Sequence, residues 1–326
     1  MTLPRLPSLF GAVLSGALGL SAPATHAEPS ESSEPVAVLT SIKPLALIVK
    51  EAFGPLVEVQ SLLPPNVSPH SYALKPSDIR QLAASELFVW IGPGMESFMP
   101  AVLKKAPPQQ TLALIRVFED HAPELLLRYK AFGNPAHAHD DADAEADDGH
   151  DGHEDDHAPG QVDSHLWLGR RQALESAQRI GDVLKQRHPH LTAKIDQRLS
   201  NFAESLSGLP PAPDLAGVRL VSYHNGFAYL MNDLNLQVSE VVVTQSDLTP
   251  GARHFGVLRD AFQRSPHCLI NEPQFGGSRL VDKLATLAAQ TVTLDPMGQD
   301  STRYTELYRG WVEALGQCAV RTAPST

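Results

Sequence analysis

The sequence predicts an α/β protein of two lobes, each a mostly parallel sheet flanked by helices. Three observations carry that expectation. Short apolar, strand-like runs alternate with helical patterns over most of the chain. The alternation is broken once by a segment built from His, Asp, Ala and Gly, and it restarts after a proline-rich break at Leu209–Pro213. Alternating β and α patterns imply parallel strands with their crossover helices on the sheet faces. At 326 residues the chain has room for two domains of ordinary size, each with a core.

Taken in order, Arg5, the apolar run Leu9–Leu20 and the small residues ending in Thr25-His26-Ala27 read as an export signal over residues 1–27. The run is too short to span a bilayer, and no cysteine at the cleavage point invites a lipid anchor. The first lobe is expected over residues 35–188. It opens with strand Val36–Thr40, helix Pro44–Phe53, strand Val57–Leu63, helix Pro76–Ala84 and strand Leu87–Ile91. Residues 133–160 lack apolar periodicity and are expected to be disordered. Ala173, Ala177, Ile180 and Leu184 then share one helical face, and Leu191, Ile195, Leu199, Phe202 and Leu206 share another, with Pro189 between them. A helical segment thus joins the lobes. The second lobe, 214–320, repeats the rhythm with strands at Val218–Tyr223, Leu236–Val243, Cys268–Asn271 and Thr291–Leu294. Its helices are expected at Gly226–Asn232, Gly251–Gln263, Arg279–Ala289 and Tyr304–Leu315.

The net charge of −11 is concentrated in one place. Between Ala131 and Val162 there are ten Asp or Glu residues and no Lys or Arg, so the remainder carries −11 + 10 = −1. No basic patch of useful size is present, which argues against nucleic acid as a partner. The two cysteines, Cys268 and Cys318, suggest a disulfide in an oxidising compartment, the alternative being two buried thiols. They are too few and too far apart for a Cys-based zinc site.

The acidic segment holds His137, His139, His150, His153 and His157. Imidazoles suit zinc, copper and nickel, and a flexible set of them implies weak, exchangeable sites. The alternative is a solvated acidic loop with incidental histidines. His153 to His157 also spells H-E-x-x-H, but that chemistry needs a docked helix, and Gly152 and Pro159 bracket the match. Other candidates sit where strands end: His70 in a loop stiffened by Pro64, Pro65 and Pro69, His224 after a strand, and Glu272 and Asp295 each closing one. His165 follows the acidic segment directly. Ligands in open α/β sheets bind beyond the carboxyl ends of strands. A single loop histidine is more often a surface or capping residue, and His121, His188, His190, His254 and His267 are assigned that role.

At these positions the chain resembles the metal-binding receptors of ABC importers for zinc and manganese. The likeness covers nearly the whole mature length. It runs through Ser41-Ile42-Lys43-Pro44, the block from Leu63-Pro64-Pro65 to Pro76-Ser77-Asp78, and Trp90-Ile91-Gly92-Pro93-Gly94-Met95-Glu96. It continues through His165-Leu166-Trp167-Leu168, Glu272-Pro273-Gln274-Phe275 and Leu294-Asp295-Pro296-Met297-Gly298. The resemblance implies a metal in the cleft between two lobes linked by a long helix, which in this chain is expected over 189–208. It matches His70, His165 and His224 to the first three metal ligands, Asp295 to the fourth, and Cys268 and Cys318 to a disulfide. Pro69 stands where some zinc receptors carry an acidic residue, so the fourth ligand stays open among Asp295, Glu272 and water. The implied function is capture of Zn2+ in the periplasm by a non-enzymatic monomer. The implied partners are an ABC permease, met transiently, and an accessory periplasmic zinc chaperone. Similar manganese receptors carry Glu where this chain has His224; three imidazoles with at most one carboxylate favour zinc. The competing expectations are a manganese receptor of the same family, a periplasmic zinc buffer working through the acidic segment, and a zinc hydrolase using Glu272 as base.

Overall fold

A computed structural model describes residues 34–104, 111–130, 160–243, 267–275 and 279–319, together with positions 256, 258–260 and 262. The expected export signal, the His/Asp-rich segment and most of the expected helix Gly251–Gln263 lie outside the described residues. The positions described between 256 and 262 are helical.

Two four-stranded parallel sheets form the frame. In the first, β1 (Val36–Thr40), β2 (Val57–Ser61), β3 (Leu87–Trp90) and β4 (Thr111–Ala113) lie in the order β2-β1-β3-β4. All four residues of β3 are buried, as expected of an inner strand of a parallel sheet covered on both faces. In the second, β5 (Arg219–His224), β6 (Val238–Val243), β7 (His267–Asn271) and β8 (Gln290–Thr293) lie in the order β6-β5-β7-β8. Because every pairing is parallel, the carboxyl ends of β5, β7 and β8 share one edge.

Helix α1 (Lys43–Phe53) begins with Pro44 in its first turn, where the missing N–H costs nothing. It buries Leu45, Ile48, Val49, Ala52 and Phe53 and ends at Gly54, whose φ of +56° suits glycine. The remaining helices of the first half are α2 (Pro76–Ala84), α3 (Met99–Leu103) and α4 (Leu114–His121). Then α5 (Arg170–Arg187) buries the predicted Ala173, Ala177, Ile180 and Leu184 stripe, and α6 (Thr192–Ser207) buries Ile195, Phe202 and Leu206. The two pack closely enough that a Cβ on Gly181 would lie 2.9 Å from Leu199 Cδ1. The second half adds α7 (Ala228–Asp233), α8 (Arg279–Ala285) and α9 (Tyr304–Gly316). Cys268 at the start of β7 is bonded to Cys318 beyond α9, with Cα atoms 5.7 Å apart.

Some boundaries differ from expectation. The strand over Val57–Leu63 stops at Ser61, although Leu62 and Leu63 still donate to the Thr40 and Ser41 carbonyls. Helix α8 stops at Ala285 because the chain must turn back, Ala289 donating to the His267 carbonyl at 3.0 Å. Strand β5 runs one residue further than expected, so that His224 is its last residue instead of the first residue after it.

One core runs from the first sheet through α1, α5 and α6 to Tyr304, Tyr308 and Trp311 of α9. A smaller one, including Val221, Val242, Leu269 and Leu284, covers part of the second sheet. Among the described residues no helix is long and apolar enough to cross a membrane.

Candidate metal centre

His70, His165 and His224 come together although they are far apart in sequence. Each offers a ring nitrogen, and the three nitrogens lie within 4.8 Å of one another, the group of metal-capable side chains found among the described residues. The ring centroids are 5.1 Å apart for His165 and His224, 5.6 Å for His70 and His165, and 5.9 Å for His70 and His224. Three imidazoles on one zinc ion at bond lengths near 2.0–2.1 Å stand about 3.4 Å apart, so small inward movements complete the set. His165 and His224 are buried at 4% exposure each, and His70 is half-buried.

Each histidine is held from behind. The His70 loop between β2 and α2 is stiffened by its prolines; Ser68 Oγ accepts the His70 N–H at 3.3 Å, and Tyr72 Oη donates to Asp78 Oδ2 at 2.9 Å. His165 precedes a 3-10 turn over Leu166–Leu168 and is gripped by Asp163, whose Oδ1 lies 2.8 Å from His165 Nδ1 and accepts the His165 N–H at 2.9 Å. Asp163 is fully buried, and Tyr229 Oη donates to its carbonyl at 2.8 Å. With Nδ1 turned to a carboxylate, Nε2 is the nitrogen through which His165 can bind a metal. Beside His224 stands Glu272, its Oε1 3.3 Å from Nδ1, within ion-pair distance but without a hydrogen bond among the described residues. Burial first, and the neighbouring His224 second, hold the His165 imidazolium well below the ordinary histidine range. The ring is therefore neutral, the form that ligates.

The two candidate carboxylates are placed differently. Glu272 follows β7 directly and stands behind His224 at 4% exposure. Asp295 lies two residues beyond β8, outside the histidine group. Its Oδ1 accepts the Met297 N–H at 2.9 Å and its Oδ2 the Gln299 N–H at 2.5 Å, while Gln274 Nε2 approaches at 3.4 Å. That carboxylate organises a turn whose residues Pro296 and Met297 line the cavity at the histidines. The cavity is about 30 Å³, bounded also by Trp167 and Phe275. It can hold an ion or one or two waters and little else.

Residue-level reading of the sequence missed Asp163, although an acid two residues before a candidate ligand was visible as Asp163-Ser164-His165. His137, His139, His150, His153 and His157 lie outside the described residues. Of the histidines set aside, His188 pairs with Glu86 at 2.6 Å and His267 is buried 5.0 Å from the Phe262 ring.

The family model described as ZnuA, "Zinc-uptake complex component A periplasmic", matches residues 38–318. Among individual relatives, the high-affinity zinc uptake system protein ZnuA of Yersinia pestis is 28% identical over 274 residues, covering 80% of this chain and 83% of that protein. Its namesake from Haemophilus ducreyi is 29% identical over 292 residues, covering 86% and 92%. Solved structures agree on the fold. A ZnuA crystal structure superposes with a TM-score of 0.66 at 20% identity, covering 87% of this chain and 99% of that one. The periplasmic zinc-binding protein TroA of Treponema pallidum gives 0.64 at 18% identity, covering 88% and 100%. FpvC of Pseudomonas aeruginosa, solved with Mn2+, gives 0.66 at 18%, covering 87% and 98%. With the match extending over most of its length, the chain belongs to the ZnuA family of periplasmic zinc-uptake components.

Proposed function

We propose that this chain is the periplasmic zinc receptor of an ABC importer, binding one Zn2+ through His70, His165 and His224 and passing it to a membrane permease. The observation that carries the proposal is the convergence of three buried or half-buried imidazoles on a cavity of about 30 Å³. Zinc is favoured over manganese because the donors are nitrogens. Of the nearest carboxylates, Asp163 is engaged with a ring nitrogen of His165 and Asp295 with backbone N–H groups, while Glu272 stands 3.3 Å from His224 Nδ1. Manganese prefers carboxylate oxygen, whereas zinc accepts three imidazoles in a tetrahedral set. The hydrogen bonds that Asp295 already accepts support water or Glu272 at the fourth position ahead of Asp295. A hydrolase would need space beside the metal for a substrate, and this cavity has none of that size; the family is one of receptors. Residues 1–27 act as the export signal, α6 acts as the link between the two α/β halves, and the histidines of 133–160 collect metal weakly.

The test is a zinc–manganese competition on mature protein lacking residues 134–160, with bound metal counted by elemental mass spectrometry. One zinc per chain retained against excess manganese, and lost in His70→Ala and His224→Ala, is the expected result. Retention of manganese would reassign the cargo, and absence of tight metal would make the deleted segment the functional element.

A further inference from the structure

A second cavity, of about 350 Å³, opens beside the histidine cluster between the segment Leu127–Lys130 and the β5–α7–β6 region. Its volume falls in the range of small-molecule sites, more than ten times that of the cavity at the three histidines. Its composition is one-sided. Arg128 and Lys130 are its charged lining residues among those described, and no described Asp or Glu lines it. Asn225, 7% exposed, is part of the wall. Arg128 donates one N–H to the Gly160 carbonyl at 2.7 Å, which fixes the side chain and leaves further guanidinium donors for another acceptor. Phe227 and Met231 add an apolar wall.

From these features we infer a second binding site, for a small organic carboxylate with an apolar body. The carboxylate is met by Arg128 and Lys130, and the body lies against Phe227 and Met231. His224 belongs to both the wall of this cavity and the histidine cluster. An anion here therefore sits one side chain away from a dication bound there, and opposite charges so close attract. Resting on the zinc-receptor reading, the inference adds that anion and zinc raise each other's affinity, because linkage is reciprocal.

The experiment uses the mature full chain, metal-free and zinc-loaded, titrated calorimetrically with phenylacetate and, as the uncharged isostere, phenylacetamide. Both are poor zinc chelators, so solution chemistry does not mask the protein. Phenylacetate is expected to bind, phenylacetamide to bind at least about tenfold more weakly, and zinc loading to tighten phenylacetate by about fivefold or more. Arg128→Gln with Lys130→Gln should remove the preference for the acid, and Gln237→Trp at the exposed rim should block both probes; each variant should still take up one zinc. Equal binding of acid and amide, no binding of either, or a preference unchanged in the Arg128/Lys130 variant would overturn the inference. A zinc titration in the same samples separates the cases: failure of zinc itself to bind overturns the receptor reading instead.

Discussion

At the scale of single residues, the site's strength lies as much in the groups behind the imidazoles as in the imidazoles. Asp163 shows why. Its carboxylate is fully buried, orients His165 through Nδ1 at 2.8 Å and the backbone N–H at 2.9 Å, and stabilises the tautomer that presents Nε2. Such outer carboxylates commonly contribute about 10–100-fold to metal affinity. Asp163→Asn keeps the shape but presents an amide in place of the carboxylate that holds Nδ1–H, so zinc affinity should drop by a factor in that range with the fold retained. Competition against a chromophoric chelator, with circular dichroism as the folding control, measures it; unchanged affinity would mean that His165 is positioned by packing alone. This residue also marks a limit of sequence reading. Histidines at strand ends can be flagged from pattern, but choosing His70, His165 and His224 from among all the candidates required family resemblance. The acid behind His165 becomes visible only when its hydrogen bonds are seen.

At the scale of elements, the strands and the long amphipathic helices were legible because their apolar periodicities are strong. The Ala173–Leu184 face of α5 and the buried runs of β1, β3 and β7 are examples. Short elements were not: β4 has three half-buried residues and α3 only five in all, too few for a period to show. The turn after β3 carries a second feature that composition hides. Glu96 is fully buried there, accepting the Ile91 N–H at 3.2 Å and the Gly92 N–H at 3.0 Å. Burial raises its pKa to about 7, although the hydrogen bonds from backbone N–H groups pull it back. Since the folded pKa lies above the unfolded value, the protonated acid is the form the fold prefers. Its stabilisation is complete below the unfolded pKa of 4.5 and is lost as pH rises through about 7. The span corresponds to on the order of 3 kcal/mol. His165, with its depressed pKa, has the opposite sign and loses stability as pH falls below the unfolded value of 6.5. Comparing metal-free wild type with Glu96→Gln by denaturant unfolding cancels that second effect. The wild type should lose stability relative to the variant by roughly that amount between pH 5 and 8, and a pH-independent difference would show that Glu96 is ionised in the fold.

At the scale of the whole molecule, the two sheets are tied by more than the α5–α6 connection. Helix α1, which covers the first sheet, reaches the segment after β8 in two places. Lys43 Nζ donates to the Gln299 carbonyl at 2.6 Å near its start. Near its end, Glu51 Oε1 accepts from Arg303 Nη2 at 2.8 Å and from Thr305 Oγ1 at 2.7 Å, and Oε2 accepts the Thr305 N–H at 3.0 Å. The Glu51 side chain is only 5% exposed and meets the first turn of α9, where a negative charge opposes the positive end of the helix dipole. A residue of the first α/β half thus caps the last helix of the second. The turn organised by Asp295 ends at the first of these anchors, Gln299, and its residues Pro296 and Met297 bound the cavity at the three histidines. The strut consequently links global stability to the shape of the site. Removing it in Glu51→Ala leaves the Thr305 N–H and the Arg303 guanidinium without their acceptor, a loss of about 1–3 kcal/mol. Glu51→Gln, which retains an acceptor oxygen, should lose less. If the turn depends on the strut, zinc should also dissociate faster from Glu51→Ala than from wild type, as followed by stopped-flow transfer to a chelator. A fall in stability with an unchanged zinc off-rate would confine Glu51 to holding the halves together and leave the cavity to Asp295 and its own turn.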